Sequence, residues 1–182
     1  MGLKKLDGNG ILLYVEWNNP RPRRGSRIAG HKPVDLSSFS VMSQAIYQHE
    51  FIVSDDAMDQ NGHVNNVVYV QWMQDVAVLH SDAVGGTLAM HAAGASWFVR
   101  SHRIEYLTPA FAGDLVLAIT WVVNFRRIRS LRRYKFVRKS DLKILARGET
   151  EWVFVDAGSG RPCTITDEVM NAFGTVPEGQ EP

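Results

Sequence analysis

Asp59-Gln60-Asn61-Gly62-His63-Val64-Asn65-Asn66-Val67-Val68-Tyr69-Val70-Gln71-Trp72-Met73-Gln74 is the stretch that decides the fold. Its first half continues a polar segment, Ser54–Asn66, that also holds Asp55 and Asp56 and reads as a loop. In its second half the periodicity changes. Tyr69, Trp72, Met73, Val76, Leu79 and Ala83 recur at spacings of three and four, which predicts a helix with one buried stripe. Val68, Val70 and Val78 add apolar surface outside that stripe, so the helix is expected to be buried on most sides. Asn65 or Asn66 suits the N-cap, and Gly85-Gly86 suits the stop.

On either side of this helix the period is two. Tyr47–Val53 reads as a strand before the loop, and Trp97–Leu107 as a strand ending at Thr108-Pro109. Leu115, Leu117, Ile119, Trp121, Val123 and Phe125 share one face of the next strand, and Leu131–Lys139 and Ile144–Val155 follow after short polar turns. Thr166–Phe173 reads as a closing helix. One strand, a long apolar helix and four strands in a meander make an α+β layout, most simply an antiparallel sheet wrapped around the helix. Residues 1–40 differ: Asn18-Asn19-Pro20-Arg21-Pro22-Arg23-Arg24-Gly25-Ser26 is an extended arm, with a short strand expected at Ile11–Trp17. The expected organisation is an N-terminal extension, mostly loop, over 1–40, a single domain over 41–175 and a loose tail over 176–182.

With 182 residues, 45% hydrophobic and 21% charged, the composition is that of an ordinary globular protein able to bury a core. A net charge of +1 gives no reason to expect nucleic acid or a membrane surface as partner. The one cysteine, Cys163, can form neither an internal disulfide nor a CxxC site. The apolar run Ile11–Val15 is too short for a signal-peptide core, and no run approaches the roughly 20 apolar residues of a membrane span, so a cytoplasmic location is expected. His31, His49, His80, His91 and His102 form no HExxH or similar set, and neither a metal nor a cofactor is expected. No G-x-S-x-G elbow exists, which argues against a serine α/β-hydrolase.

Asp59, Asn61, His63, Val64, Asn65, Asn66, Tyr69 and Trp72 together make a pattern, D-x-N-x-H-V-N-N-x-x-Y-x-x-W, that resembles the signature of hotdog-fold thioesterases. The similar branch holds 4-hydroxybenzoyl-CoA thioesterase-like and acyl-ACP thioesterase-like enzymes. Arg103-Ile104-Glu105-Tyr106, Gly113-Asp114 and Gly148-Glu149-Thr150-Glu151-Trp152 extend the resemblance, which covers roughly Tyr47 to Val155. It implies a hotdog fold and hydrolysis of an acyl-CoA or acyl-ACP thioester. That reaction needs a carboxylate to attack the carbonyl or activate water, and donors for the oxyanion. Asp59 fits the first role. An extended stretch would place Asn61 and His63 on its side of the chain, Asn61 to hydrogen-bond the carbonyl or the carboxylate and His63 to serve the leaving thiolate or orient Asp59. The resemblance adds Glu105 as a further acidic residue and backbone amides near Gly94. Capping and turn chemistry alone would also place Asx residues and glycine before a helix.

Two further expectations concern partners. Arg126, Arg127, Arg129, Arg132 and Arg133 crowd one expected hairpin, where they could capture coenzyme A phosphates or form a plain solvated surface. They alternate between strand faces and no RNA-binding signature accompanies them. An exposed sheet edge invites pairing with a second copy, giving a homodimer or a dimer of dimers. Rival readings are a non-catalytic acyl-CoA-binding protein of the same fold and a hotdog enoyl-CoA hydratase. The hydratase pattern, D-x-N-P-x-H, puts histidine five residues after aspartate, whereas His63 comes four after Asp59.

Overall fold

The computed structural model describes residues 45–182, so the extension over 1–40 and the strand expected at Ile11–Trp17 lie outside the described residues. Five strands, β1 (Ile46–Ile52), β2 (Ala95–Tyr106), β3 (Leu115–Arg126), β4 (Arg129–Arg138) and β5 (Ile144–Asp156), form one antiparallel sheet. Among the described residues three α-helices accompany them: α1 (Asn66–Ala83), α2 (Gly86–Ala92) and α3 (Asp167–Ala172). The long helix α1 packs on one face of the sheet, which is the hotdog arrangement.

The strand order is β1-β3-β4-β5-β2, which corrects the simple meander. Only β3, β4 and β5 are joined as successive hairpins. Strand β2 crosses to the far edge and pairs with β5, leaving β3 free to pair with β1. Period-two patterning tells which side chains face inward, but not which strands are neighbours. The β2–β5 register is supported by charge: Arg103 lies opposite Glu149, and Glu105 opposite Arg147.

The core between helix and sheet joins Tyr69, Met73, Val76 and Ala77 of α1 to Val116 and Ala118 of β3, Tyr134 and Phe136 of β4 and Ala146 of β5. The buried stripe of α1 therefore runs Tyr69, Met73, Val76, Ala77, His80. It is rotated slightly from the expected one: Trp72 is half-buried, and Val78 and Leu79 are exposed. Gly148 sets how closely α1 approaches the sheet. A Cβ there would lie 2.7 Å from Met73 Sδ, so the methionine rests on bare backbone.

Gly85 has the left-handed conformation expected of a helix stop (φ 79°), but the chain re-enters a helix at once in α2. Helices α2 and α3 cover a second cluster in which Phe173, Val169 and Ile165 meet Ala95, Val122 and Phe154. Residues after α3 lie along β3 instead of hanging loose: Val176 N–H donates to Val122 O at 2.9 Å, and Val176 packs with Ile119 and Trp121 on the outer sheet face. Glu181 then pairs with Arg133 at 2.6 Å. Among the described residues no helix is long and apolar enough to cross a membrane.

Candidate active site

The chain enters the site through a short 3-10 turn, Asp55–Ala57, and leaves it through α1. Between them residues 58–64 fold back on themselves. Met58 and Val64 form an antiparallel bridge, Asp59 N–H donates to His63 O at 2.9 Å, and Gly62 N–H donates to Asp59 O at 3.1 Å. Gly62 closes this turn with a φ of 77°, which a residue bearing Cβ adopts only with strain. Val64 N–H donates to Ala110 O, anchoring the turn to the segment before β3.

The turn gathers the three motif side chains by a route other than an extended strand. Asp59 Oδ1 accepts from the backbone N–H of Asn61 at 2.8 Å, and Asp59 Oδ2 accepts from Asn61 Nδ2 at 3.3 Å. His63 Nδ1 lies 3.7 Å from Asp59 Oδ2, an ion pair whenever the imidazole is protonated. Partial burial pushes the Asp59 carboxyl up. The Asn61 backbone and side-chain hydrogen bonds and the nearby His63 outweigh it, leaving Asp59 below its usual 3.8. Asp59 is thus held ionised and half-exposed.

Asn65 caps α1: its Oδ1 accepts from Val67 N–H at 3.0 Å. The turn therefore delivers the carboxylate just ahead of a helix N-terminus, whose partial positive charge favours negative charge developing nearby. Behind it Tyr69 packs edge-on against Trp72, Tyr106 and Phe136. Tyr106 Oη donates to Asn66 O at 3.1 Å, tying β2 to the first turn of α1. In the sequence Tyr69 has a place in the signature and in the buried helix stripe, and Tyr106 has one in the stretch that extends the resemblance, but neither is assigned a role at the site.

Other expected site residues are placed elsewhere. On β2 Ile104 packs against the core beside α1, while the neighbouring Glu105 is exposed and lines a polar groove with Arg103, Arg133 and Arg147. The structure does not bring Glu105 to Asp59 within one chain. Gly94 N–H is already donated to His91 O at 2.9 Å. The five arginines divide. Arg126 and Arg127 are exposed at the β3–β4 turn with no ion pair among the described residues. Arg129 pairs with Glu151 at 3.1 Å, and Arg133 with Glu149 at 3.7 Å and with Glu181. Arg132 is buried inside the sheet–helix interface. No group of three or more His, Cys, Asp or Glu among the described residues could hold a metal ion.

Comparison with known proteins agrees with this fold. Residues 53–173 match the family described as the thioesterase-like superfamily. Over 125 residues the chain is 26% identical to an L-carnitine dehydrogenase/betainyl-CoA thioesterase from Ruegeria pomeroyi, covering 69% of this chain. It spans only 25% of that relative's length. Among solved structures, a 1,4-dihydroxy-2-naphthoyl-CoA thioesterase from Synechocystis superposes with a TM-score of 0.63 at 16% identity, covering 70% of this chain and 94% of that one. A putative oleoyl thioesterase from Lactobacillus plantarum gives 0.68 at 17% identity, over 78% and 56% of the two chains. At these identities the structures speak for the fold.

Proposed function

Because the chain belongs to the thioesterase-like superfamily, we propose that it hydrolyses an acyl thioester, with acyl-CoA as the substrate class and Asp59 as the reacting carboxylate. The observation that carries this reading is the Asp59 carboxylate, held ionised by Asn61 and His63 on the turn that enters α1. Two routes are open to it. Asp59 can attack the thioester carbonyl, forming an acyl-aspartyl anhydride as the C–S bond breaks, which water then hydrolyses. Alternatively it accepts a proton from the attacking water. In both routes the thiolate leaves and takes up a proton, and the second product is a carboxylic acid. His63 stands where it can supply that proton or orient Asp59, and Asn61 fixes the carboxylate. Incubation with acyl-CoAs of several chain lengths and a thiol-reactive dye tests the reading directly. Dye release that tracks enzyme concentration supports it, and its absence across the whole panel would leave a binding protein.

The pH dependence follows from the ionised form being the active one. Since the Asp59 carboxyl lies below 3.8, activity is expected to hold as pH falls from neutrality and to drop only below the ordinary carboxylate range. A kcat/KM profile with its acid limb near pH 6 would assign the titration to an imidazole instead.

Coenzyme binding is assigned to the exposed turn arginines Arg126 and Arg127, with Arg129 and Arg133 beside them already engaged by carboxylates. The enclosed Arg132 is left out of this set. The double substitution Arg126→Gln/Arg127→Gln should raise KM for acyl-CoA several-fold at low salt and much less at ~0.5 M, where the screening length is only a few ångströms. An equal KM at both salts would make the turn a solvated surface only.

Self-association belongs to the same reading. Strand β2 is paired on one side only, with β5, and Phe98 on it and Val67 and Val78 on α1 are exposed apolar side chains. Pairing of β2 with β2 of a second copy would continue the sheet and cover this surface. Light scattering at micromolar concentration is expected to return twice the chain mass or a multiple of it. A fully active monomer would overturn the proposal.

A further inference from the structure

The alternation of strand β4 buries Arg132 and Tyr134 and turns Arg133 and Lys135 to the outer face of the sheet. There they meet the last described residues. Pro177-Glu178-Gly179-Gln180 makes a β-turn: Gln180 N–H donates to Pro177 O at 3.1 Å, and Gly179 supplies a positive φ (88°) at the third position. The turn brings two carboxylates to one guanidinium. Arg133 Nη1 pairs with Glu181 at 2.6 Å, and Nη2 with Glu178 at 3.5 Å. Lys135 Nζ donates to Pro182 O at 2.7 Å. The segment 177–182 is therefore held across β4 by charge, and solvent-exposed ion pairs contribute little each.

This segment does not satisfy the groove in which it lies. The groove, about 400 Å³, continues from β4 over β5 to β2. Four cations line it, Arg103, Arg133, Lys135 and Arg147, against two carboxylates of the sheet, Glu105 and Glu149. The excess is two positive charges, and Glu178 and Glu181 answer it only at Arg133. Arg147 lies directly across from Lys135 in the β4–β5 register and forms no ion pair with the described residues. Trp121 also lines the groove, and its buried Nε1 has no hydrogen-bond partner. A buried donor left without an acceptor is destabilising, so the groove has room for a ligand that fills it better than the segment now there.

We propose that the groove is a docking site for an acidic, extended segment of a partner polypeptide, and that residues 177–182 occupy it in cis until such a partner displaces them. A longer segment passes from Lys135 onto Arg147, bringing a further carboxylate to that arginine and an acceptor to Trp121 Nε1. Tethering gives the chain's own segment an effective concentration on the order of millimolar. A partner therefore needs those additional contacts to displace it. The groove shares no residue with the turn that carries Asp59, and the proposal does not rest on the hydrolase reading.

The probe is a fluorescein-labelled peptide of residues 176–182 followed by two glutamates, and its control carries glutamine at every glutamate. Fluorescence anisotropy with the full chain at low salt reads the binding. The acidic peptide should saturate the variant Glu178→Gln/Glu181→Gln at least about tenfold more tightly than the wild type, because the resident competitor is weakened. In that variant's background Arg133→Gln should abolish binding. Arg147→Gln, at an exposed position that touches no residue of the resident segment, should weaken it about tenfold, the worth of one charge-assisted bond, and guards against misfolding of the Arg133 variant. The Trp121 indole N–H resonance, identified by its absence in Trp121→Phe, should move as peptide is added. No saturation by ~1 mM peptide, equal affinity for the glutamine control, or equal affinity with and without Glu178 and Glu181 would each overturn the proposal. So would undiminished binding in Arg147→Gln or a stationary Trp121 resonance. Self-association of Glu178→Gln/Glu181→Gln beyond that of the wild type, in sedimentation, would give the groove to a second copy instead.

Discussion

Asp59→Asn is expected to keep the fold and to lower kcat for acyl-CoA hydrolysis by about a hundredfold or more, roughly 2.7 kcal/mol of transition-state stabilisation. The substitution is nearly isosteric. An asparagine oxygen can still accept from the Asn61 backbone N–H, the contact made now at 2.8 Å, so the turn through Gly62 should survive. What disappears is the negative charge that attacks carbon or accepts a proton. Asn61→Ala and His63→Ala should each cost less, since they position the carboxylate without replacing it. Glu105→Gln should leave kcat near wild type, because Glu105 lies in the polar groove away from Asp59. Single-turnover kinetics with circular dichroism would separate lost chemistry from lost structure. Near-native turnover by Asp59→Asn would move the chemistry to another group.

Phe136→Ala should be the most destabilising of the simple substitutions, by about 3–5 kcal/mol. Phe136 has no exposed surface and lies where β4 meets the first turns of α1, with ring centroids 5.7 Å from Tyr69 and 5.9 Å from Trp72. Its removal leaves a cavity under Tyr69 and Trp72, the two aromatics that seat the helix behind the Asp59 turn. A domain of this size holds only about 5–15 kcal/mol in total, so the loss is a large share. Urea unfolding followed by circular dichroism should show a lower midpoint at similar slope. A loss below ~1 kcal/mol would mean that the site collapses around the deletion and that Phe136 is not the keystone of this contact.

Helix α1 was legible because its apolar spacing is long and its cap is chemical: Asn65 sits where an N-cap belongs, and the helix starts at Asn66. The strands were legible from alternation, within a few residues. The neighbour order was not, because β2 finds β5 through cross-strand pairs such as Arg103 with Glu149, which no local pattern reveals. Helix α2 was missed since Gly85-Gly86 reads as an ending, and seven residues are too few to establish a period. At the site, the sequence named the residues Asp59, Asn61 and His63 but mistook the geometry: a turn closed by Gly62 gathers them, not an extended chain. Arg132 could not be told from its neighbours in an arginine-rich hairpin until the pleat showed which face each occupied.

The position of β2 at the far edge has a consequence for synthesis. When residues 95–106 leave the ribosome, their partner β5 does not yet exist, and β3 and β4 must be made first. At about 5–20 residues per second the wait is a few seconds, far longer than a helix such as α1 needs to form. Throughout it Trp97, Phe98 and Val99 are carried on a strand with both edges bare. The bulge between Val99 and Ser101 breaks its regularity, and Arg100 and Arg103 interrupt its apolar character, features that temper non-specific aggregation of the lone strand until β5 arrives.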